Sequence, residues 1–236
     1  MAPRFGFRQI DRRDLATILI DQEIRSKNHI NTQRCHQTSY RDLVEMRGTD
    51  AFNLPHGGVV NDYVAFYFSP LTGFTHTIHK GNVQVISPCG RSIGLSRKED
   101  RVFLVVRVER LYEYDHLVCF SDYALNSQAP APTVKSNHDE LASHVKWQLF
   151  DEQPLTAAIK EIGYLGVCRY FFSRSVPPHQ NRATSRMAEL LVKGAVPLSL
   201  VECIVTPNQQ VYQEVLVLAQ QHNFQGVVVN NPGCFV

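Results

Sequence analysis

Short runs of valine, isoleucine and aromatic residues recur through this chain, and they restrict its fold more than any other feature. The run Asp62–Phe68 (DYVAFYF) is followed by Ser-Pro, the pattern of a buried strand that ends in a turn. Further runs lie at Val83–Ile86, Val102–Val108, His116–Phe120, Glu189–Val192, Val201–Val205 and Gly226–Val229. Helical spacing of apolar residues competes with them only locally. It is present at Asp11–Ile24, where Leu15, Ile18, Leu19 and Ile24 recur, and at Gln209–Gln221, where Val211, Val215, Leu216 and Leu218 make an apolar face. Weaker helical patterns lie at Ser39–Met46, His138–Trp147 and Leu155–Ile162, and Lys27–Thr38 and Asn126–Asn137 read as loops. Strands dominating the middle, with helices towards both ends, predict an α+β fold built on a curved antiparallel sheet with flanking helices.

The 236 residues are 44% hydrophobic and 19% charged, enough apolar surface to bury a core and consistent with one domain spanning 1–236. No repeat period is visible. No run approaches the ~18 apolar residues of a membrane span, so no membrane partner is expected. The opening MAPRFGFRQIDRRDL lacks the apolar stretch of a signal peptide, which predicts a cytoplasmic protein. The six cysteines stand singly with no C-x-x-C pair, so they read as buried small hydrophobes rather than disulfide or zinc partners. His76 and His79 have a spacing that can touch a metal, but they sit among Thr, Ile and Lys without a nearby carboxylate, and no metal is expected. Phosphate-binding glycine loops, the G-x-S-x-G elbow and the H-E-x-x-H helix are absent. His36 beside Cys35 suggests a thiol nucleophile only weakly, since adjacent residues rarely form such a pair.

The net charge is +2, but the charge is unevenly placed. From Gly163 to Ala188 there is no carboxylate, while Arg169, Arg174, Arg182 and Arg186 interleave with Tyr170, Phe171 and Phe172. Cations that neutralise phosphates, beside rings on which bases stack, are the requirements of a single-stranded nucleic-acid groove. The competing reading is a solvated arginine surface beside a core aromatic triplet. Glu189 then opens an apolar strand, where carboxylates are depleted. A carboxylate there can steady a developing oxocarbenium-like cation or accept bonds from ribose hydroxyls; alternatively it is a sheet-edge glutamate facing water.

Three segments resemble the DarT family of DNA ADP-ribosyltransferases, toxins of DarT–DarG toxin–antitoxin systems. Phe7-Arg8-Gln9-Ile10 through Leu15-Ala-Thr-Ile-Leu19 is similar to the family's N-terminal strand and NLPxIL helix. Gly58 to Pro70, containing Asp62-Tyr-Val-Ala-Phe-Tyr-Phe68, resembles its DYVPFYF strand and the following turn. Arg186-Met-Ala-Glu189-Leu-Leu-Val192, with Val196-Pro197 and Ile204-Val205, resembles its AEFLV strand and sequel.

The resemblance implies an ADP-ribosyltransferase-like split antiparallel β-sheet that binds NAD+ as co-substrate and attaches ADP-ribose to thymine or guanine in single-stranded DNA. It places the catalytic glutamate on Glu189 and the catalytic arginine on Arg47, with Arg41 as the alternative. It assigns co-substrate contacts to Arg8, Asn28, Arg47 and Tyr67, and DNA contacts to the preceding loop through Arg169, Tyr170, Arg182 and Arg186. A macrodomain-type, DarG-like antitoxin is the implied partner, and blocked replication or phage propagation the implied consequence. The chain departs from the family pattern at Arg8, where a histidine is usual, at Ala65 in place of proline, and at Leu71-Thr-Gly-Phe74 in place of Arg-Ser-Pro-Met. Other readings are a nucleic-acid-binding module without catalysis, and an ADP-ribosyltransferase acting on RNA or protein.

Overall fold

The computed structural model describes residues 3–177 and 179–236. The strand runs assemble into one eight-stranded sheet. In chain order its strands are β1 (Phe5–Asp11), β2 (Tyr63–Tyr67), β3 (Arg101–Arg107), β4 (Val118–Ser121), β5 (Val134–Lys135), β6 (Glu189–Lys193), β7 (Val201–Thr206) and β8 (Val227–Asn230). Across the sheet they lie β8-β7-β3-β1-β2-β6-β4-β5. The α+β class is therefore as expected, but the sheet is mixed rather than antiparallel. Helix Gln209–Gln221 carries the chain back over the sheet after β7, so β8 pairs parallel to β7 with Cys203 opposite Val227. Residues Val102–Val106 of β3 and Leu190–Val192 of β6 are buried, which explains why these strands read as continuous apolar runs without alternation.

One seam in the sheet is almost unpaired. β1 pairs with β3 from Phe5↔Arg107 to Asp11↔Arg101, and β2 pairs with β6 from Tyr63↔Lys193 to Tyr67↔Glu189. Between the two halves, β1 meets β2 only at Phe7↔Tyr67. Beyond that pair the strands splay, and the Arg8 guanidinium reaches across to donate to the Ala65 carbonyl at 2.9 Å. Gly6 permits the close join on the other side. A Cβ at that position would stand 2.9 Å from Leu190 Cδ2 and 3.1 Å from Phe66 Cβ.

Local departures from the expected elements have local causes. The Asp11–Ile24 pattern contains the end of β1, a 3-10 turn whose Arg13 amide donates to the Asp11 side chain, and a helix α1 confined to Leu15–Asp21. Gln22 then takes a left-handed conformation (φ 57°), and Glu23–Arg25 pairs with Ala195–Pro197. The Ser39–Met46 pattern becomes helix α2, Arg41–Met46. A helix α3, Gly73–His79, was masked by its glycine and β-branched residues; it is started by a Thr72 hydroxyl that accepts from the Thr75 amide.

The His138–Trp147 helix is shortened to Leu141–His144, because Val145 is extended and turns Trp147 inward, where its indole N–H donates to the Leu141 carbonyl at 3.0 Å. Leu155–Ile162 is not a helix: Leu155–Thr156 pairs with Val167–Cys168, and a 3-10 turn follows at Lys160–Ile162. That pairing presses Gly166 so closely on Thr156 that a Cβ would lie 2.5 Å from its carbonyl oxygen. The loop Asn126–Asn137 contributes β5. Four cysteines are buried as expected, whereas Cys35 is half-buried and Cys89 exposed.

The four arginines of the carboxylate-free segment divide into two kinds. Arg186 is 0% exposed and donates to the carbonyls of Leu149 (3.2 Å), Cys168 (3.0 Å), Tyr170 (3.1 Å) and Leu71 (3.1 Å), and to Ser69 Oγ (3.2 Å). Burial pulls its pKa down to about 10, so it remains a cation at neutral pH. Arg182 is 2% exposed and is held by Glu152, the Tyr170 carbonyl and Cys168 Sγ. The resemblance assigns both to DNA contact; both instead anchor the segment from inside, because their guanidiniums are buried and their donors are committed to acceptors of the protein itself. Arg169 and Arg174 are exposed, each guanidinium lying over the Tyr170 ring, at 4.9 and 4.7 Å. Phe171 is buried and Phe172 exposed. Arg186→Ala should therefore lower stability by about 3 kcal/mol or more in denaturant unfolding, since it orphans several buried acceptors. Arg169→Ala should change it by no more than ~0.5 kcal/mol.

Candidate active site

The splayed seam opens onto a cavity of about 630 Å³, within the range of small-molecule sites. Phe7 to Asp11 of β1 form one wall, Ala65 and Tyr67 of β2 another, and Phe74, Thr75 and Ile78 of α3 a third. Segment 32–40 and the end of α2 close the remaining side.

Glu189 heads β6 and lies directly opposite Tyr67. It is 4% exposed and sits between β2 and β4, so it is no sheet-edge residue. Its amide donates to Ser121 Oγ at 2.9 Å, and that hydroxyl donates to the Tyr123 carbonyl at 2.7 Å, which fixes the strand at its first residue. Arg47 forks onto the carboxylate: Nη1 donates to Oε1 at 3.0 Å and Nη2 to Oε2 at 2.6 Å.

The end of α2 is held against the segment before β2. The Arg47 carbonyl accepts from the Asn61 amide at 3.0 Å, and Asn61 Nδ2 donates to the Val44 carbonyl at 3.1 Å. Arg41, one and a half turns earlier, is exposed and pairs with Glu45 at 2.7 Å. Of the two arginines considered, the fold brings Arg47 to Glu189 and leaves Arg41 in solvent.

Burial works against the Arg47 cation, but the charge and hydrogen bonds of Glu189 outweigh it and hold the guanidinium above its ordinary pKa. Burial, reinforced by the Glu189 carboxylate, raises the Tyr67 phenol, which stays neutral. Burial lowers Arg8 from its ordinary value, partly offset by Cys35, and the Arg47 charge adds to the lowering. Arg8, Arg47 and Tyr67 all line the cavity.

Asn28 does not. Its side chain donates to Asp62 Oδ1 at 2.8 Å and its amide to the Asn61 carbonyl at 3.0 Å, so it ties the loop after α1 to the segment before β2. Its neighbours Ser26 and Lys27 line the cavity in its place. Arg169 and Tyr170 lie outside the cavity, while Met187 and Glu189 enter it from the same segment. His76 and His79 engage the Val236 carbonyl through Nδ1, at 3.2 and 3.1 Å.

Several residues that line or support the site gave no sequence signal. Ser121 ends an apolar strand and looks incidental there. Tyr40 and Phe74, whose ring centroids lie 6.2 Å apart, come from segments that read as a polar helix and a turn. Asn126, exposed at the rim, comes from a stretch that reads as loop. The arrangement combines cations for an anionic ligand, a carboxylate for hydroxyls or developing positive charge, and an aromatic face beside both.

Comparison with known proteins identifies the family and the fold. The family profile described as "ssDNA thymidine ADP-ribosyltransferase, DarT" matches residues 7–236. A search of curated proteins gave no match. Among solved structures, Thermus sp. 2.9 DarT in complex with ADP-ribosylated ssDNA is similar at a TM-score of 0.76 and 21% identity, over 99% of this chain and 97% of that one. The same protein in complex with NAD+ gives a TM-score of 0.73 at 20% identity, over 100% and 99% of the two chains. Thermosipho africanus DarTG in complex with ADP-ribose gives 0.62 at 13%, over 98% of this chain and 51% of that one. With the family profile spanning nearly its whole length and the same fold around the split sheet, the chain belongs to the DarT family of ssDNA thymidine ADP-ribosyltransferases.

Proposed function

We propose that this chain transfers ADP-ribose from NAD+ to thymidine in single-stranded DNA, with Glu189 and Arg47 as its catalytic residues. The observation that carries the reading is the Arg47–Glu189 fork at the head of β6, inside a cavity of sufficient volume, in a chain of this family. The residues present suit NAD+. Arg47 and Arg8 supply positive charge for the pyrophosphate, Tyr67 an aromatic face for nicotinamide, and Glu189 an acceptor for ribose hydroxyls.

NAD+ supplies the ADP-ribosyl group and a leaving group, nicotinamide, whose departure develops positive charge at the ribose anomeric carbon. Glu189 holds the 2′-hydroxyl and stabilises that charge from a fixed position, so little reorganisation is needed as the charge appears. Arg47 keeps the carboxylate oriented, steers the pyrophosphate and lowers the cost of removing a proton from the target base. Tyr67 packs on nicotinamide as a neutral phenol. Beyond Phe7, β1 has no paired partner on its β2 side, so main-chain groups there are available to the nicotinamide carboxamide. This lets Arg8 stand where the family usually has histidine, with its Nη1 anchored on the Ala65 carbonyl and its charge still facing the cavity.

The exposed Arg169 and Arg174, whose guanidiniums lie 4.9 and 4.7 Å from the Tyr170 ring centroid, form with that ring the DNA contact of the loop, two phosphate-neutralising cations beside an aromatic side chain that can stack on a base. Such modification of template DNA is toxic to replication. We therefore infer a toxin role in the cytoplasm, with a DarG-like macrodomain antitoxin as partner. An intact Arg–Glu fork argues against a module that has lost catalysis.

Incubation with NAD+ and matched DNA and RNA oligonucleotides, read by intact mass, tests the assignment. An ADP-ribose adduct is expected on single-stranded DNA containing thymidine, and Glu189→Gln should abolish it while NAD+ still binds. An adduct on RNA alone, or none on any strand, overturns the reading. Arg47→Ala should lower the transfer rate about 100-fold or more, as loss of a preorganised charge contact does, whereas Arg41→Ala should behave as wild type. Tyr170→Ala should raise the KM for the oligonucleotide about tenfold, the scale of one lost base–aromatic stack, with little change in the KM for NAD+.

A further inference from the structure

A second carboxylate-free segment lies beside the cavity. Between Tyr63 and Lys98 there is no aspartate or glutamate, while Lys80, Arg91, Arg97 and Lys98 supply positive charge, and the run ends at Glu99. All four cations are exposed, and among the described residues none enters an ion pair.

Three of the four flank or cap a β-hairpin formed by Gln84–Ile86 and Ser92–Leu95. Its second strand is exposed along its length, with Ile93 and Leu95 turned largely to solvent. The hairpin is nonetheless firmly placed. Gln37 and Ile86 exchange both main-chain hydrogen bonds, each at 2.8 Å, Pro88 lines the cavity, and Ser96 Oγ donates to the Ile78 carbonyl of α3 at 2.7 Å.

Helix α3 sets the distance from this hairpin to Glu189. Its first residue, Gly73, lies against Met187, two residues before Glu189, and its last turn holds the hairpin. Seven residues at ~1.5 Å rise make the helix about 10 Å long, a length that a short stretch of single-stranded backbone can span. On the flank of α3, His76 contacts Phe171 and Phe172, with ring centroids at 5.7 and 5.2 Å, so the helix also adjoins the Arg169–Arg174 loop.

We propose that the hairpin Gln84–Leu95, with Lys80, Arg97 and Lys98, is a second contact for the single-stranded DNA substrate. It holds the backbone a few nucleotides from the base presented to Glu189. The cations neutralise phosphates, and Ile93 and Leu95 offer apolar surface to unstacked bases that a duplex would keep paired. The inference rests on the reading of the site as one that modifies single-stranded DNA.

The test is binding, measured by fluorescence anisotropy with labelled oligonucleotides. One just spans the target thymidine and its neighbours, one extends several nucleotides on both sides, and one is the longer strand in duplex form. The Arg91→Ala, Arg97→Ala double variant should bind the longer single strand about tenfold more weakly, with the short strand and the unfolding midpoint unchanged. Equal affinity of wild type and variant for the longer strand overturns the proposal. An equal loss on the duplex also overturns it, as that would mark a general polyanion surface. Because the readout is binding and not transfer, a chain that forms no adduct but loses the length-dependent affinity would sink the enzymatic reading and leave the hairpin contact standing.

Discussion

The site depends on a failure of pairing. A sheet with all its strands fully paired has no interior space for a ligand, since neighbouring strands run less than 5 Å apart. Here β1 and β2 share the single register pair Phe7↔Tyr67, and each finds its full partner on the other side, in β3 and β6. The hydrogen bonds missing along the seam are partly replaced by Arg8, whose guanidinium bridges to Ala65. Gly6 and the buried side chains Phe66 and Leu190 close the opposite end, so the opening is wedge-shaped and has a fixed vertex.

Glu189 owes its usefulness to the same geometry. It begins β6 beside the vertex, its amide answered by Ser121 and its carboxylate by Arg47, so both the backbone and the side chain are oriented. A buried carboxylate without such a partner would be costly. The fork meets that requirement and also places a cation where a pyrophosphate is to be held. Arg47 reaches this position because Asn61 ties the last turn of α2 to the start of β2, although the two residues are separated by a loop with no regular structure of its own.

Much of this frame was legible in the residues. The strands at Val102, Glu189, Val201 and Gly226 and the helix Gln209–Gln221 follow from apolar runs and periodicity alone, most plainly at Val102–Val106 and Leu190–Val192, where burial leaves little freedom for polar substitution. Resemblance in three short segments then pointed to Glu189 and Arg47. What could not be read was set by contacts between segments far apart in the chain. Leu155–Ile162 has a helical pattern, yet its pairing with Val167–Cys168 wins because Gly166 allows a close approach. The sheet order is invisible until β8 is seen to return parallel. Arg182 and Arg186 look like Arg169 in sequence, and only the acceptors folded around them, for Arg186 those at Ser69–Leu71, Leu149 and Cys168–Tyr170, separate an internal anchor from a surface cation. Asn28 likewise sits near the site in sequence but spends its side chain on Asp62.

The anchor at Arg186 differs in kind from the cations at the surface. Five neutral oxygens surround it and no carboxylate does, so its stabilisation comes from oriented dipoles inside a region closed to ions. Electrolyte screens charges that face water, with a Debye length near 10 Å at 0.1 M, and screens buried groups much less. Raising ionic strength therefore weakens what Arg169, Arg174, Arg91 and Arg97 hold at the surface without loosening the loop that carries the first two. In this chain, grip on a polyanion and integrity of the fold answer to different properties of the solvent.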